Sequence, residues 1–205
     1  MVRGKENKIM YKWSKSTGKM KGIPSLNTDT TTNPFCMKMS KTDSICGSCY
    51  SMKMLRGLYK KNCVPAFQRN GEYLSRKVHD YEYLPKVDST TARFSSHGEL
   101  MNENHLINLF RISENQPLTT FTLFTKRKDL VNKVMRTHKK PKNMIFIFSN
   151  ANVDKIMNDV PKYFDKVFNV VTKEQEEVNC RGTCITCLKC YRTQDRTQQI
   201  VEVIK

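Results

Sequence analysis

Long apolar runs are missing from this chain: the longest unbroken one is Met144 to Phe148, far below the roughly 18–20 residues that cross a bilayer. The sequence therefore predicts no membrane-spanning helix and no membrane partner. The segment MVRGKENKIMYKWSK is basic but has no apolar h-region and no small-residue cleavage site, so it does not read as a secretory signal. Acidic residues are also few, 19 against 36 Lys and Arg, for a net charge of +17. Internal repeats are absent, and the Thr run at Asp29 to Thr32 is the one low-complexity stretch. Apolar residues are not depleted as in a disordered chain, since 38% are hydrophobic. The expectation is a folded, reduced cytoplasmic protein with one domain over residues 1–205.

Eight cysteines are present, and in a reducing compartment such residues point to metal or redox work rather than disulfides. Cys180, Cys184, Cys187 and Cys190 have spacers of three, two and two residues. Four thiolates that close together let the backbone wrap one inorganic core, as in ferredoxin-type iron-sulfur sites. Zinc is the alternative, although a zinc ribbon separates its two pairs more widely. The other block has Cys36, the pair Cys46 and Cys49, and Cys63. Cys36 and Cys63 also suit simple burial, because a lone cysteine packs like a small apolar residue. One or two 4Fe-4S clusters are thus expected, or zinc in their place. If the blocks pool their ligands, the metal staples the two ends of the chain together.

Between the blocks, β-prone and amphipathic runs alternate. Strands are predicted at 91–95, 119–125, 144–149 and 167–172, the last being the final strong one. Helices are predicted at 104–112, 128–137 and around 153–157. A further helix is expected over 50–61 and another starting at Pro65, while 25–35 reads as a polar loop and NKIMYKWS as strand-like. Alternation at this spacing signals βαβ units. It is too short for a closed eight-fold barrel. The predicted class is α/β, a partial (β/α) barrel or small open parallel sheet. It has a cysteine-bearing segment at 1–64, a β/α core at 65–175 and a second cysteine-bearing segment at 176–205.

Several short motifs occur in order: GIPSLN, CGSCYS, FQRNGEYL, RFSSHGEL, FTLFTKR, the N-x-x-x-x-FSN pattern at Asn143 to Asn150, and CITCLKCY. In these the chain resembles the small cysteine-rich phage and viral proteins of the "gene product eighty-eight" type. They are distantly similar to the barrels of radical S-adenosylmethionine enzymes and spore photoproduct lyase. The resemblance spans about residues 20 to 192. It implies a partial (β/α) barrel, a cysteine-bound iron-sulfur centre, and a host cytoplasm as location if the chain is viral. Radical S-adenosylmethionine enzymes carry C-x3-C-x2-C after their first strand, with an aromatic before the third cysteine. Here that spacing falls at Cys180, Cys184 and Cys187 near the end, preceded by Thr186, and Cys190 offers a fourth ligand. The departure argues against radical chemistry and against bound S-adenosylmethionine.

Reactive groups in parallel β/α folds sit at the C-terminal ends of strands. That geometry nominates Ser95, Ser96, His97, Glu99, Thr125, Lys126, Arg127, Ser149, Asn150, Thr172 and Lys173. His97, Glu99 and Lys126 are the catalytic candidates, with His97 and Glu99 as an acid and base pair. Ser95, Ser149 and Asn150 are the cofactor-binding candidates. The alternative is that Glu99 caps the next helix and His97 lies in a solvated loop. The run 126–142, with Arg56, Lys60 and Lys61, is a candidate phosphate-contacting stripe, and Tyr11, Trp13 and Tyr50 are candidates for stacking on bases of DNA or RNA. Three functions follow: an iron-sulfur protein with a redox or structural cluster, an enzyme using the cluster reductively, and a zinc-stapled nucleic-acid-binding module.

Overall fold

A computed structural model describes residues 12–204. Seven strands form one sheet: β1 (Trp13–Ser14), β2 (Ser25–Leu26), β3 (Thr91–Phe94), β4 (Thr120–Thr125), β5 (Met144–Val153), β6 (Lys166–Val171) and β7 (Gln199–Val203). The helices are α1 (Pro34–Met39), α2 (Tyr50–Arg56), α3 (Lys60–Arg76), α4 (Glu103–Glu114), α5 (Lys128–Val134) and the single turn α6 (Cys184–Cys187). The strands lie in chain order; β1 is antiparallel to β2, and every later pair is parallel. Parallel connections of one hand, wound in strict order, bring their helices to one face. This is barrel-type winding without a reversal of strand order, and the sheet stays open, with β1 and β7 as its edges.

Alternation along the strands divides the sheet into two faces. Register aligns Phe121 with Ala92 and Met144, and Leu123 with Phe94 and Phe146. These side chains enter the main core with Leu106, Leu109 and Ile112 of α4 and Leu130, Val131 and Val134 of α5. Phe94 and Phe121 stack with centroids 5.0 Å apart. Each such buried ring contributes about 1.5–3 kcal/mol. The opposite face, called inner below, carries Arg93, Thr122, Phe124, Ile145, Ile147, Lys166 and Phe168. Its apolar members pack against Cys190, so the C-terminal cysteine segment covers this face.

Local chemistry sets the helix starts. Asn33 caps α1 by accepting from the amides of Phe35 and Cys36, with Pro34 in the first turn. Asn102, not Glu99, caps α4, accepting from the His105 amide at 3.0 Å. Gly98 has φ +77°, and a Cβ there would lie 2.5 Å from the Thr28 carbonyl oxygen. Only glycine lets the loop after β3 pass this close to β2.

Some expectations are corrected. No helix forms around 153–157: Val153 ends β5, Asp154 is left-handed at φ 57°, and the Asn150 and Asn169 side chains bond the backbone of Lys155 and Met157 instead. The helix expected to start at Pro65 starts at Lys60, so Pro65 lies inside it, and it ends at Arg76. The helix expected over 50–61 stops at Arg56, where Gly57 leaves the helical conformation at φ −103° and ψ −126°. Helix α5 ends at Val134. β2 lies inside the stretch read as a polar loop, and β7 follows the strand taken as last.

Candidate metal centre and strand mouth

Cys180 leaves the edge of β7, its amide donating to the Val201 carbonyl oxygen at 3.0 Å. The chain then makes α6, and Leu188 at φ 54° ends that turn and brings the chain back to Cys190. As a result Cys180, Cys184, Cys187 and Cys190 line one cavity together with Lys19 and Lys189. Lys19 braces its rim, donating to the Cys180 carbonyl oxygen at 2.6 Å and to Glu202 at 2.5 Å. Burial raises the pKa of the Cys180 and Cys184 thiols and pushes Cys190 up to about 12, with the neighbouring Cys180 adding to it. In this state the three are neutral thiols at pH 7.

Arg93 projects from β3 into this region. Its guanidinium carbon stands 3.8 Å from the Phe124 ring centroid, and Nη1 donates to Met20 Sδ at 3.2 Å. The hydroxyl of neighbouring Tyr191 lies beside the guanidinium, and Arg93 Nε is buried without a hydrogen bond of good geometry. Among the described residues no carboxylate pairs with Arg93. A cation with no carboxylate partner, beside a buried hydroxyl and facing soft thiol ligands, fits an anionic metal-thiolate group.

The N-terminal block divides. Cys36 in α1 and Cys46 and Cys49 before α2 come together beside Glu99 and Lys126: burial raises the pKa of the Cys36 and Cys46 thiols, and the nearby Cys49 adds to both. Ile45 ties their loop to β5 through the Ala151 carbonyl oxygen at 2.9 Å. Cys63 packs elsewhere, against Leu55, Ala66 and Phe67. The structure thus forms a set of three and a separate set of four. Among the described residues, no group of three or more His, Cys, Asp or Glu is arranged to hold a single metal ion.

At the mouth, Glu99 is 5% exposed. One carboxylate oxygen accepts from Thr125 Oγ1 and from the Leu100 amide at 2.9 Å, the other from the Lys126 amide at 2.7 Å. Burial raises its pKa against these bonds. With both oxygens engaged, Glu99 clasps the loops after β3 and β4. Lys126 donates to Ser149 Oγ at 2.8 Å. His97 is held by Ser51, 2.8 Å from its Nδ1, between Tyr50 and Phe67, and burial lowers its pKa to about 4. It is therefore packed rather than loosely solvated, and neutral. Ser95 is left-handed and buried. Asn150 bonds Lys155 and Asn169, bracing a loop. Thr172 donates to Asp154.

Three of the eight cations in the basic run 126–142 have carboxylate partners among the described residues. Arg127 meets Asp129 at 2.8 Å, Lys133 meets Glu103 at 2.5 Å, and Lys140 meets Asp165. Trp13 packs against Phe94 and Phe121 in the core, and the Tyr50 hydroxyl donates to the Ser96 carbonyl oxygen. Tyr11 lies outside the described residues. Sequence reading passed over Arg93 and Tyr191; Arg93, the lone cation on an otherwise β-prone strand, was the available signal. Among the described residues no helix is long and apolar enough to cross a membrane. No protein-family model, curated protein or solved structure matches the chain.

Proposed function

We propose that this chain is an iron-sulfur protein in which Cys180, Cys184, Cys187 and Cys190 hold a 4Fe-4S cluster against the inner face of the sheet. The observation that carries this reading is that the four cysteines line one cavity, beside Arg93, which has no carboxylate partner among the described residues. A cluster of this kind takes one thiolate per iron, and when bound it supplies one-electron exchange and a covalent cross-link. Loading replaces neutral thiols with thiolates and releases protons, so buried thiols of raised pKa ligate readily only where cations compensate. Arg93 and Lys189 supply that compensation, Lys19 being paired with Glu202.

Four ligands make a closed set, which favours electron transfer or a structural clasp over chemistry at an open iron. The set of Cys36, Cys46 and Cys49 lacks a fourth cysteine because Cys63 lies in the α2–α3 contact; Cys63 is not a ligand in this reading. The test is iron and acid-labile sulfide analysis of anaerobically prepared protein. The expected result is about four of each per chain at the C-terminal site, lost in Cys190→Ala and kept in Cys63→Ala. Material with no iron and no sulfide overturns the proposal, and one zinc per chain replaces it with a zinc-stapled module.

A further inference from the structure

The N-terminal ends of β5, β6 and β7 lie at the opposite end of the sheet from Glu99, Lys126 and Ser149. They border a groove of about 500 Å3, within the range that takes a nucleotide-sized ligand. Its walls carry five cations, Lys140, Lys142, Lys166, Arg192 and Arg196, against two carboxylates, Asp165 and Asp195.

Both carboxylates are already engaged. Asp165 pairs with Lys140 and accepts from the Phe146 amide at 2.7 Å. Asp195 accepts from Lys166 Nζ at 2.9 Å. Lys166 is 3% exposed and also donates to the carbonyl oxygens of Asp195 at 3.0 Å and Thr197 at 2.8 Å. This buried ammonium thus fixes the 195–197 turn to the start of β6. Lys142, Arg192 and Arg196 remain, exposed and without a carboxylate partner among the described residues. Two arginines and a lysine on one rim suit phosphate oxygens, which guanidinium groups bind in a bidentate manner.

We infer that this basal groove binds phosphate esters, either the backbone of a single-stranded nucleic acid or a free nucleoside triphosphate. The site does not depend on the metal reading, since its frame is the β5–β7 edge and the Lys166–Asp195 clasp. It shares only Lys140 and Lys142 with the stripe expected on residues 126–142, and Arg192 and Arg196 come from the segment before β7.

The full-length protein is titrated with a fluorescent single-stranded oligoribonucleotide and, separately, with ATP, at low and moderate salt. Lys142→Glu combined with Arg192→Glu and Arg196→Glu is expected to weaken whichever probe binds by on the order of tenfold or more and to flatten its salt dependence. Arg69→Glu with Arg76→Glu, exposed on α3 and outside the groove, is expected to change little. In wild-type protein the bound probe is expected to shield Arg192 and Arg196 from phenylglyoxal, a readout that needs no variant. Oligonucleotide binding that ATP does not displace identifies a polymer site, and tight ATP binding identifies a nucleotide site; either supports the groove. Binding of neither probe overturns the inference, as does equal loss in the α3 control or modification of both arginines unaffected by probe.

Discussion

The Thr122 hydroxyl, on the inner face of β4, donates to the Cys190 carbonyl oxygen at 2.7 Å. The last cysteine of the C-terminal block is thereby fixed to the centre of the sheet, with its side chain against Phe124, Ile145, Ile147 and Phe168. A valine at position 122 keeps the shape and removes the donor. Thr122→Val is expected to destabilise the protein by about 1 kcal/mol and to speed loss of iron to a chelator. Chelation time courses at matched protein concentration check this. A chelation rate equal to wild type would show that the bond does not position the cysteine loop.

Arg93 yields a prediction of opposite sign in the two metal states. Without a bound anion its half-buried guanidinium has no carboxylate partner, only Phe124, Met20 and Tyr191 beside it, so Arg93→Met is expected to raise the stability of metal-free protein by up to about 1 kcal/mol. With the cluster present the same change removes a compensating cation. Iron retention should then fall, and the reduction potential should drop, because the reduced cluster carries more negative charge. Denaturant melts of metal-free protein and potentiometry of loaded protein separate the two effects. A merely structural arginine would leave the potential in place.

Gly98 is the most constrained backbone position near the mouth. Gly98→Ala has to accept both a positive φ and a Cβ driven onto the backbone of Thr28. A cost of about 2 kcal/mol or more is expected. The Thr28 amide, which donates to the His97 carbonyl oxygen at 3.2 Å, should lose protection from hydrogen exchange. Unchanged protection would place the strain elsewhere.

What the sequence discloses follows from how locally each element is determined. The strands at 91–94, 120–125, 144–149 and 166–171 are legible because their apolar residues alternate or run unbroken, and α4 because Leu106, Leu109 and Phe110 repeat at helical spacing. β2 is two residues long and exists only through pairing with β1 and β3. β7 carries Glu202 on the inner face, where Lys19 neutralises it. Such partners are distant in sequence, and no local pattern announces them. The segment at 153–157 has helical spacing of Val153, Ile156 and Met157, but two asparagine side chains bind its backbone first. At the site, spacing marks the cysteines and leaves Cys63 open to simple burial; it packs because α3 begins before Pro65 and carries Cys63 onto Leu55 and Phe67.

His105 links stability to pH. It is 2% exposed in α4, and its Nδ1 accepts from the Met101 amide at 3.3 Å, so the folded state holds a neutral ring. Burial lowers its pKa to about 4, from 6.5 for an unperturbed ring. Since the folded value lies below the unfolded one, the unfolded chain binds the proton first on acidification. The full contribution is therefore present above about pH 6.5 and is lost as pH falls toward 4. A shift of that size corresponds to on the order of 3 kcal/mol. Burial lowers the pKa of His79 and His97 too, so acid lability has the same sign at all three. His105→Gln, which keeps an acceptor for Met101, should flatten the decline of unfolding free energy between pH 6.5 and 4 by roughly that share. Urea titrations at intervals across the window measure the slope, and histidine resonances followed by NMR report the site directly. A His105 resonance titrating near 6.5 in the folded protein would show that the ring is accessible to protons and that this account of its burial is wrong.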